Sequence, residues 1–280
     1  MRIFITGANG QLAKSFVELL PDVEIHLATK KSLDVTNRRQ VRKQIKEFNP
    51  DIVFHFASLT RGDECAKDPK LANKINVRGT ENVVVACSDV DAAIVFVSTN
   101  EVFDGGKGEP YQETDSQNPI TVAGKTKYKA EQAIMQGMKK YFIVRTSWLF
   151  SKWSANFLQV VLTKATKNKK VQLVEDEVSS PTYSVDLAKA ILDLIKTKKY
   201  GIYHLVNEGI VSRLEFAKKA FEINGIKDVI INPVKLSDFA RLSKPPLFSP
   251  LKNTKGAKLH IVLPHWEDAL TRFFKEHKII

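Results

Sequence analysis

The most constraining stretch of the chain is its start, where RIFIT runs into GANGQLA and then KSFVELL. A short β-branched and aromatic run, a glycine turn and a helical period follow one another without a gap. Gly7 can make the tight turn, and Gly10 lets the backbone approach a pyrophosphate at the helix N-terminus. The third small position is Ala13, which still permits close helix–strand packing. A glycine motif alone says little, but this one sits in the strand-to-helix context that a dinucleotide site needs. An ordinary strand–helix turn is the competing reading.

Alternation continues through VEIHLAT (strand), VRKQIKEF (helix), DIVFHFAS (strand), KLANKINVRGTENVVVACSDV (long helix) and AAIVFVST (strand). With no hairpin signals between these segments, a parallel, doubly wound α/β sheet of Rossmann type is expected. Later helices are predicted at SVDLAKAILDLIK, SRLEFAKKAFEIN and HWEDALTRFFKEH. YGIYHLVN reads as a late strand returning to the sheet, and the Pro-rich LSKPPLFSPL as an irregular loop near the nucleotide end. Residues 1–150, joined by about 183–207, then form the dinucleotide domain; 151–182 and 208–280 form a smaller C-terminal substrate-binding lobe. At 280 residues the chain suits one large domain or a closely joined pair and needs no disulfide or metal staple.

Second-strand chemistry bears on the cofactor. An NAD site usually carries an acid near the end of that strand for the ribose 2′-hydroxyl. Here Lys30 and Lys31 stand in that place, and cations there favour a 2′-phosphate. NADP(H) is therefore preferred, with NAD(H) possible, and two solvated loop lysines are the plainer reading. Asp34 is placed to reach the adenine edge from the next loop.

Forty-three Lys and Arg against 31 Asp and Glu give a formal charge of +12. That charge suits a basic surface or an anionic small molecule. Zinc-finger spacing and a lysine-rich tail are absent, so nucleic acid is not an expected partner. The six histidines show no metal-ligand spacing, and no metal is expected. His55, between Phe54 and Phe56, reads as a buried, hydrogen-bonded core residue. Cys65 and Cys87 give neither a disulfide framework nor a CxxC site. With no signal-peptide pattern and no apolar run of membrane-spanning length, a cytoplasmic protein with no membrane association is expected.

TGANGQLA, HFAS and NVRGTENV together resemble the extended short-chain dehydrogenase/reductase family. VFDGGKGEPYQETDSQNP, GKTKYKAE, VRTSWLF and EDEVSSPTYSVDLAKAI resemble, more narrowly, its branch of 4-keto nucleotide-sugar reductases. The match weakens after about residue 235. The resemblance implies that Gly7, Gly10 and the backbone around Gln11 and Leu12 hold a cofactor pyrophosphate. Ala57 and Ser58 would lie on the nicotinamide-ribose side, and Thr99 would hydrogen-bond the substrate oxygen. Lys127 would contact the nicotinamide ribose and lower the pKa of a neighbouring acid. Asn100, Arg145 and Trp148 would lie at the sugar pocket, Pro181 and Thr182 would close a substrate loop, and Lys244 would approach the nucleotide phosphates. A nucleotide-sugar substrate and a possible homodimer follow from the same resemblance. Three of these residues also have plainer readings: Trp148 as core, Arg145 as a salt bridge and Thr99 as a cap for whatever follows its strand.

One element of the family pattern is missing. Its proton donor is a Tyr four residues before the Lys, on the same helix face. The ammonium lowers the phenol pKa so that it exchanges protons near neutrality. Four residues before Lys127 stands Ala123. Tyr128 is adjacent, but a one-residue shift turns a side chain by about 100°, and its own i+4 residue is Gln132. Nearby, STNEVFDG puts Asn100 and Glu101 where the relatives carry Asp and Tyr. The STxE form is reminiscent of nucleotide-sugar dehydratases, so Glu101 is either a surviving acid or an unrelated surface residue. Three explanations stay open. The alanine is engineered; or it is natural, with Glu101 or water relaying the proton; or the chain is a non-catalytic NADP-binding subunit, resembling the regulatory subunits of methionine adenosyltransferase.

Overall fold

The computed structural model describes residues 1–20, 23–153 and 156–276. Six parallel strands form the central sheet: β1 (Arg2–Thr6), β2 (Glu24–Ala28), β3 (Ile52–His55), β4 (Ala93–Thr99), β5 (Tyr141–Thr146) and β6 (Gly201–His204). Their order across the sheet is β2-β1-β3-β4-β5-β6. The winding direction reverses between β1 and β3, and a crevice opens there at the carboxyl ends.

Helices over the sheet are α1 (Gln11–Val17), α2 (Arg38–Phe48), α3 (Gly79–Asp89), α4 (Val122–Gly137) and, after α5 (Phe157–Asn168), which packs in a different apolar cluster, α6 (Ser184–Lys196). The strands are apolar on both faces because both are covered. Ile3, Ile5, Phe54, Val95 and Val144 point into a core shared with α1 and α6. Their neighbours Phe4, Val53, Ile94, Phe96 and Ile143 point the other way, into a core shared with α2, α3 and α4. The period-2 alternation of each strand thus feeds two cores at once.

The predicted long helix is not continuous. An α-turn over Pro69–Asn73 passes into a π-turn over Lys74–Arg78 before α3 begins. The extra residue turns Asn76 inward, 2 % exposed, where its carboxamide makes four hydrogen bonds. Such turns cluster at functional sites. Gly79 follows because a Cβ there would stand 2.9 Å from Val35 Cγ2.

A separate apolar core lies in the rest of the chain, between α5, α7 (Arg213–Ile223) and α8 (Trp266–Glu276). Phe150, Leu158, Leu162, Phe216, Leu270 and Phe273 fill it. The predicted late strand is β6, paired in parallel with β5. The Pro-rich segment 242–251 is largely irregular, held through Phe248 to Val178 and Leu251 to Tyr111. Among the described residues, no helix is long and apolar enough to cross a membrane.

Candidate active site

Two adjoining cavities open at the carboxyl ends of the strands. One, of about 460 Å³, lies at the β1/β3 crevice and is bordered by Gly7, Gly10, Lys30, Asp34, Ala57 and Ser58. Gly7 sits at φ +68°, and a Cβ on it would stand 2.6 Å from the Ala57 nitrogen, so the β1 and β3 turns meet backbone to backbone. Only glycine accepts both conditions. Gly10 caps α1 without a side-chain hydrogen bond, and no acid stands in the first turn. Ser58 and Leu59 are fixed from behind: Ser58 Oγ and the Leu59 N–H donate to Asn76 Oδ1 at 2.9 and 2.8 Å. Asn76 Nδ2 donates to Thr126 Oγ1 of α4 at 3.0 Å, which ties this cavity to the helix carrying Ala123 and Lys127.

Two hydrogen bonds from Thr36 hold the Asp34 carboxyl below its usual pKa, with Lys74 and Lys30 adding to the effect. A glycine-lined crevice at the switch point with a lysine at its far rim fits a dinucleotide bearing a 2′-phosphate. Lys31 does not share in it: its side chain is solvent-exposed and off the cavity, so Lys30 alone of the pair borders it. Leu12 contributes only backbone, because its side chain is in the core.

The second cavity, of about 320 Å³, is bordered by Thr99, Asn100, Glu101, Ala123, Lys127 and Trp148, and Leu59 borders both cavities. Thr99 ends β4 and caps the 3₁₀ turn Asn100–Val102 by accepting the Glu101 N–H at 3.2 Å. Asn100 is held by Ser179 and Ser249, and its Oδ1 accepts the Thr99 hydroxyl. Lys127 is buried beneath the cleft floor, its Nζ donating to Val97 O at 2.8 Å and lying 4.5 Å over the Phe96 ring. Burial brings its pKa down to about 8, with Glu131 opposing. Above it stands the methyl of Ala123, packed against Cys65 and Ala72.

Trp148 borders the cleft in a left-handed backbone conformation, φ +43°. The Arg213 guanidinium lies 3.5 Å over its ring. Arg213 and Arg241 flank the single carboxylate of Glu177, at 3.4 and 3.9 Å. Arg213, Arg241 and Glu177, all at the cleft, did not stand out in the sequence.

Four other expected residues lie away from the cleft lining. Arg145 is fully buried in β5 and forks onto Glu131, Nη2 to Oε2 at 2.6 Å and Nε to Oε1 at 3.0 Å, with His204 on its other side. Its charge is consumed inside the core, so it is an internal ion pair and not a sugar-pocket residue. Pro181 and Thr182 are buried behind Trp148, where the Thr182 N–H donates to Trp148 O. Lys244 turns its ammonium back onto the carbonyls of Leu236, Ser237 and Phe239. The segment reaches the cleft through Arg241 and Pro245 instead. His55 has the buried place expected of it, between Thr6 Oγ1 at 2.8 Å and Thr80 Oγ1 at 3.0 Å. Among the described residues, no three His, Cys, Asp or Glu side chains are grouped to hold a metal.

Whole-length relatives share this architecture. The chain is 34% identical to the dTDP-4-dehydrorhamnose reductase of Aggregatibacter actinomycetemcomitans, over 96% of this chain and 97% of that one. It is 32% identical to the spore coat polysaccharide biosynthesis protein SpsK of Bacillus subtilis, over 98% and 97%. Its fold superposes on the crystal structure of dTDP-4-dehydrorhamnose reductase from Bacillus anthracis in complex with NADP, with TM-score 0.95, 39% identity and 99% of each chain covered. Residues 1–279 match the RmlD substrate binding domain, and the chain belongs to that family.

Proposed function

We propose that this chain is an NADP(H)-linked reductase of a 4-keto nucleotide sugar, of the dTDP-4-dehydrorhamnose reductase type. The observation that carries the reading is the junction of the two cavities at Leu59. A dinucleotide crevice opens there beside a cleft whose floor holds Thr99 and Lys127. Reductases from Aggregatibacter actinomycetemcomitans and Bacillus anthracis, similar over nearly the whole chain, support the same chemistry. The binding-only regulatory subunit is accordingly not favoured.

Within this reading, Gly7, Gly10 and the backbone of Gln11 and Leu12 hold the pyrophosphate, and Lys30 meets the 2′-phosphate. Ala57 and Ser58 seat the nicotinamide ribose. When bound, NADPH supplies the hydride. Thr99 orients the sugar carbonyl by turning its hydroxyl hydrogen from Asn100 Oδ1 to the substrate oxygen. Lys127 places a positive charge beneath the reacting oxygen. Trp148 offers a flat face to the sugar, and Arg213 and Arg241 offer charge to the anionic end of the substrate. Residues 1–150 with 183–207 then serve the cofactor, and 151–182 with 208–280 serve the sugar. The reading includes a cytoplasmic site of action, where NADPH and nucleotide sugars are met, and a homodimer, which light scattering checks.

The test is NADPH oxidation with a dTDP-4-keto-6-deoxy sugar. Substrate-dependent turnover giving the 4-hydroxy sugar is expected. NADPH binding without substrate-dependent oxidation, in the parent and in Ala123→Tyr alike, would overturn it.

A further inference from the structure

Reduction of a ketone needs a proton as well as a hydride, and position 123 has none to give. Of the groups with a transferable hydrogen at or behind the cleft, the other hydroxyls and the two guanidiniums release no net proton near neutrality, which leaves four to compare. The Thr99 hydroxyl orients but supplies no net proton near neutrality, and its hydrogen is donated to Asn100. The Cys65 thiol lies behind Ala123 off the cleft lining, with burial pushing its pKa up to about 11. Lys127 is bound down to Val97 O and the Phe96 ring. The fourth is Glu101.

We propose that the Glu101 carboxyl is the proton donor of this chain, acting from the turn after β4 in place of the missing helix tyrosine. This rests on the reductase reading above. Three geometric facts place it. Glu101 borders the cleft, two residues after Thr99 on the same 3₁₀ turn, so the carbonyl-orienting group and the acid share one rigid piece of backbone. The turn is pressed against the start of α4: a Cβ on Gly124 would stand 2.1 Å from the Glu101 main-chain oxygen, so the backbone that carries the acid abuts the residue after position 123, and Glu101 and Ala123 line the same cavity. The carboxyl is aimed by Thr121, whose hydroxyl donates to Glu101 Oε2 at 2.6 Å while accepting the Gly124 N–H at 2.9 Å. Thr121 thus caps the helix and fixes the acid with the same oxygen. Among the described residues no other hydrogen bond reaches this carboxyl.

Its protonation follows from its surroundings. Burial raises the Glu101 pKa. The Thr121 hydrogen bond, Arg241 and Arg213 lower it, Glu177 opposes them, and burial is the largest influence. Cys65 also senses the Glu101 charge. A carboxyl whose pKa is raised keeps its proton to higher pH than a free one, which is the direction a general acid needs. In the balanced step, the carbonyl carbon accepts the hydride pair and the carbonyl oxygen accepts the Glu101 proton. The ketone becomes a secondary alcohol, NADPH becomes NADP⁺, and water reprotonates the carboxylate.

The experiment compares the parent, Glu101→Gln, Ala123→Tyr and the double variant, with NADPH and dTDP-4-keto-6-deoxy sugar. Glu101→Gln keeps the shape of the side chain and loses the acid. Its kcat should fall about 10²–10⁴-fold, with NADPH affinity unchanged by titration calorimetry. Parent kcat should decline as pH rises through the raised carboxyl pKa, and that limb should vanish in Glu101→Gln. Adding Ala123→Tyr to Glu101→Gln should restore turnover. Independently of activity, infrared difference spectra of the parent should show a protonated carboxyl band at neutral pH that Glu101→Gln lacks. A Glu101→Gln variant as fast as the parent, or with the same pH limb, overturns the proposal. An inactive parent beside an active Ala123→Tyr overturns the donor while leaving the substrate reading intact; inactivity of both removes the substrate reading and the donor with it.

Discussion

The cofactor crevice and the reaction cleft adjoin at Leu59, yet they differ in how they tolerate change. The crevice is made of backbone. Its shape comes from the meeting of the Gly7 and Ala57 main chains and from Asn76 bracing Ser58 and Leu59. None of that can be altered without altering the fold. The cleft is made of side chains on the same scaffold. Its helix, its cap at Thr121 and its lysine persist with an alanine where the family carries its acid. Binding is therefore locked to architecture here, whereas proton delivery hangs on one or two side chains that sequence change can move.

The largest expected effect restores the family's arrangement. In the Glu101→Gln background, Ala123→Tyr puts a phenol one turn before Lys127 and should raise kcat by about 10²–10⁴-fold, with Ala123→Phe in the same background giving none of the gain. Steady-state kinetics with NADPH and the 4-keto sugar decides it. A gain in both variants would show that ring packing, not the proton, was lacking.

Next is the core beneath both sites. Glu131→Gln leaves the Arg145 guanidinium buried without its carboxylate, which should cost about 3–5 kcal/mol of stability. Urea denaturation measures this, and NADPH affinity of the folded fraction should be unchanged. An affinity loss would mean that Arg145 reaches a ligand after all.

A smaller effect separates crevice from cleft by pH. His55 lies on β3, and burial brings its pKa down to about 3. The folded state therefore takes no proton there while the unfolded chain binds one below pH 6.5. Stability is present in full above 6.5 and falls as pH drops toward 3, by about 1.4 kcal/mol per pH unit for one proton. His204, down to about 4 and opposed by Glu113, acts in the same direction. Thermal melts of His55→Gln should show a shallower acid slope than the parent; an unchanged slope would mean that His55 is charged in the fold.

The smallest effect lies at the crevice rim. Lys30→Glu should remove the preference for NADPH over NADH, about a tenfold change in relative affinity, whereas Lys31→Glu should change little. Equal effects of the two would contradict the placement of Lys30 alone at the cavity.

Local signals carried most of the fold and much of the crevice lining. The glycine turn, the alternating strands and the Lys127 register are short-range patterns, and the strand and helix boundaries fell within a few residues of them. The misplacements came from remote partners. Arg145 and Arg213 look alike in sequence, and only the fold shows that one spends its charge on Glu131 and the other faces the cleft beside Glu177. Lys244 was chosen by its charge, but three carbonyls of its own loop absorb it. Asn76 was hidden because a π-turn shifts helical phase by one residue, which no 3.6-residue period reveals.

The central claim, that this crevice and cleft together perform carbonyl reduction, is tested most directly by following the hydride itself. The chain is incubated with NADPH deuterated at the nicotinamide C4 and with dTDP-4-keto-6-deoxy sugar, and the sugar is analysed by mass spectrometry and proton NMR. The expected result is a 4-hydroxy sugar carrying one deuterium at C4, formed by the parent and by Ala123→Tyr. Tight NADPH binding with no deuterium in the sugar from either protein would contradict it.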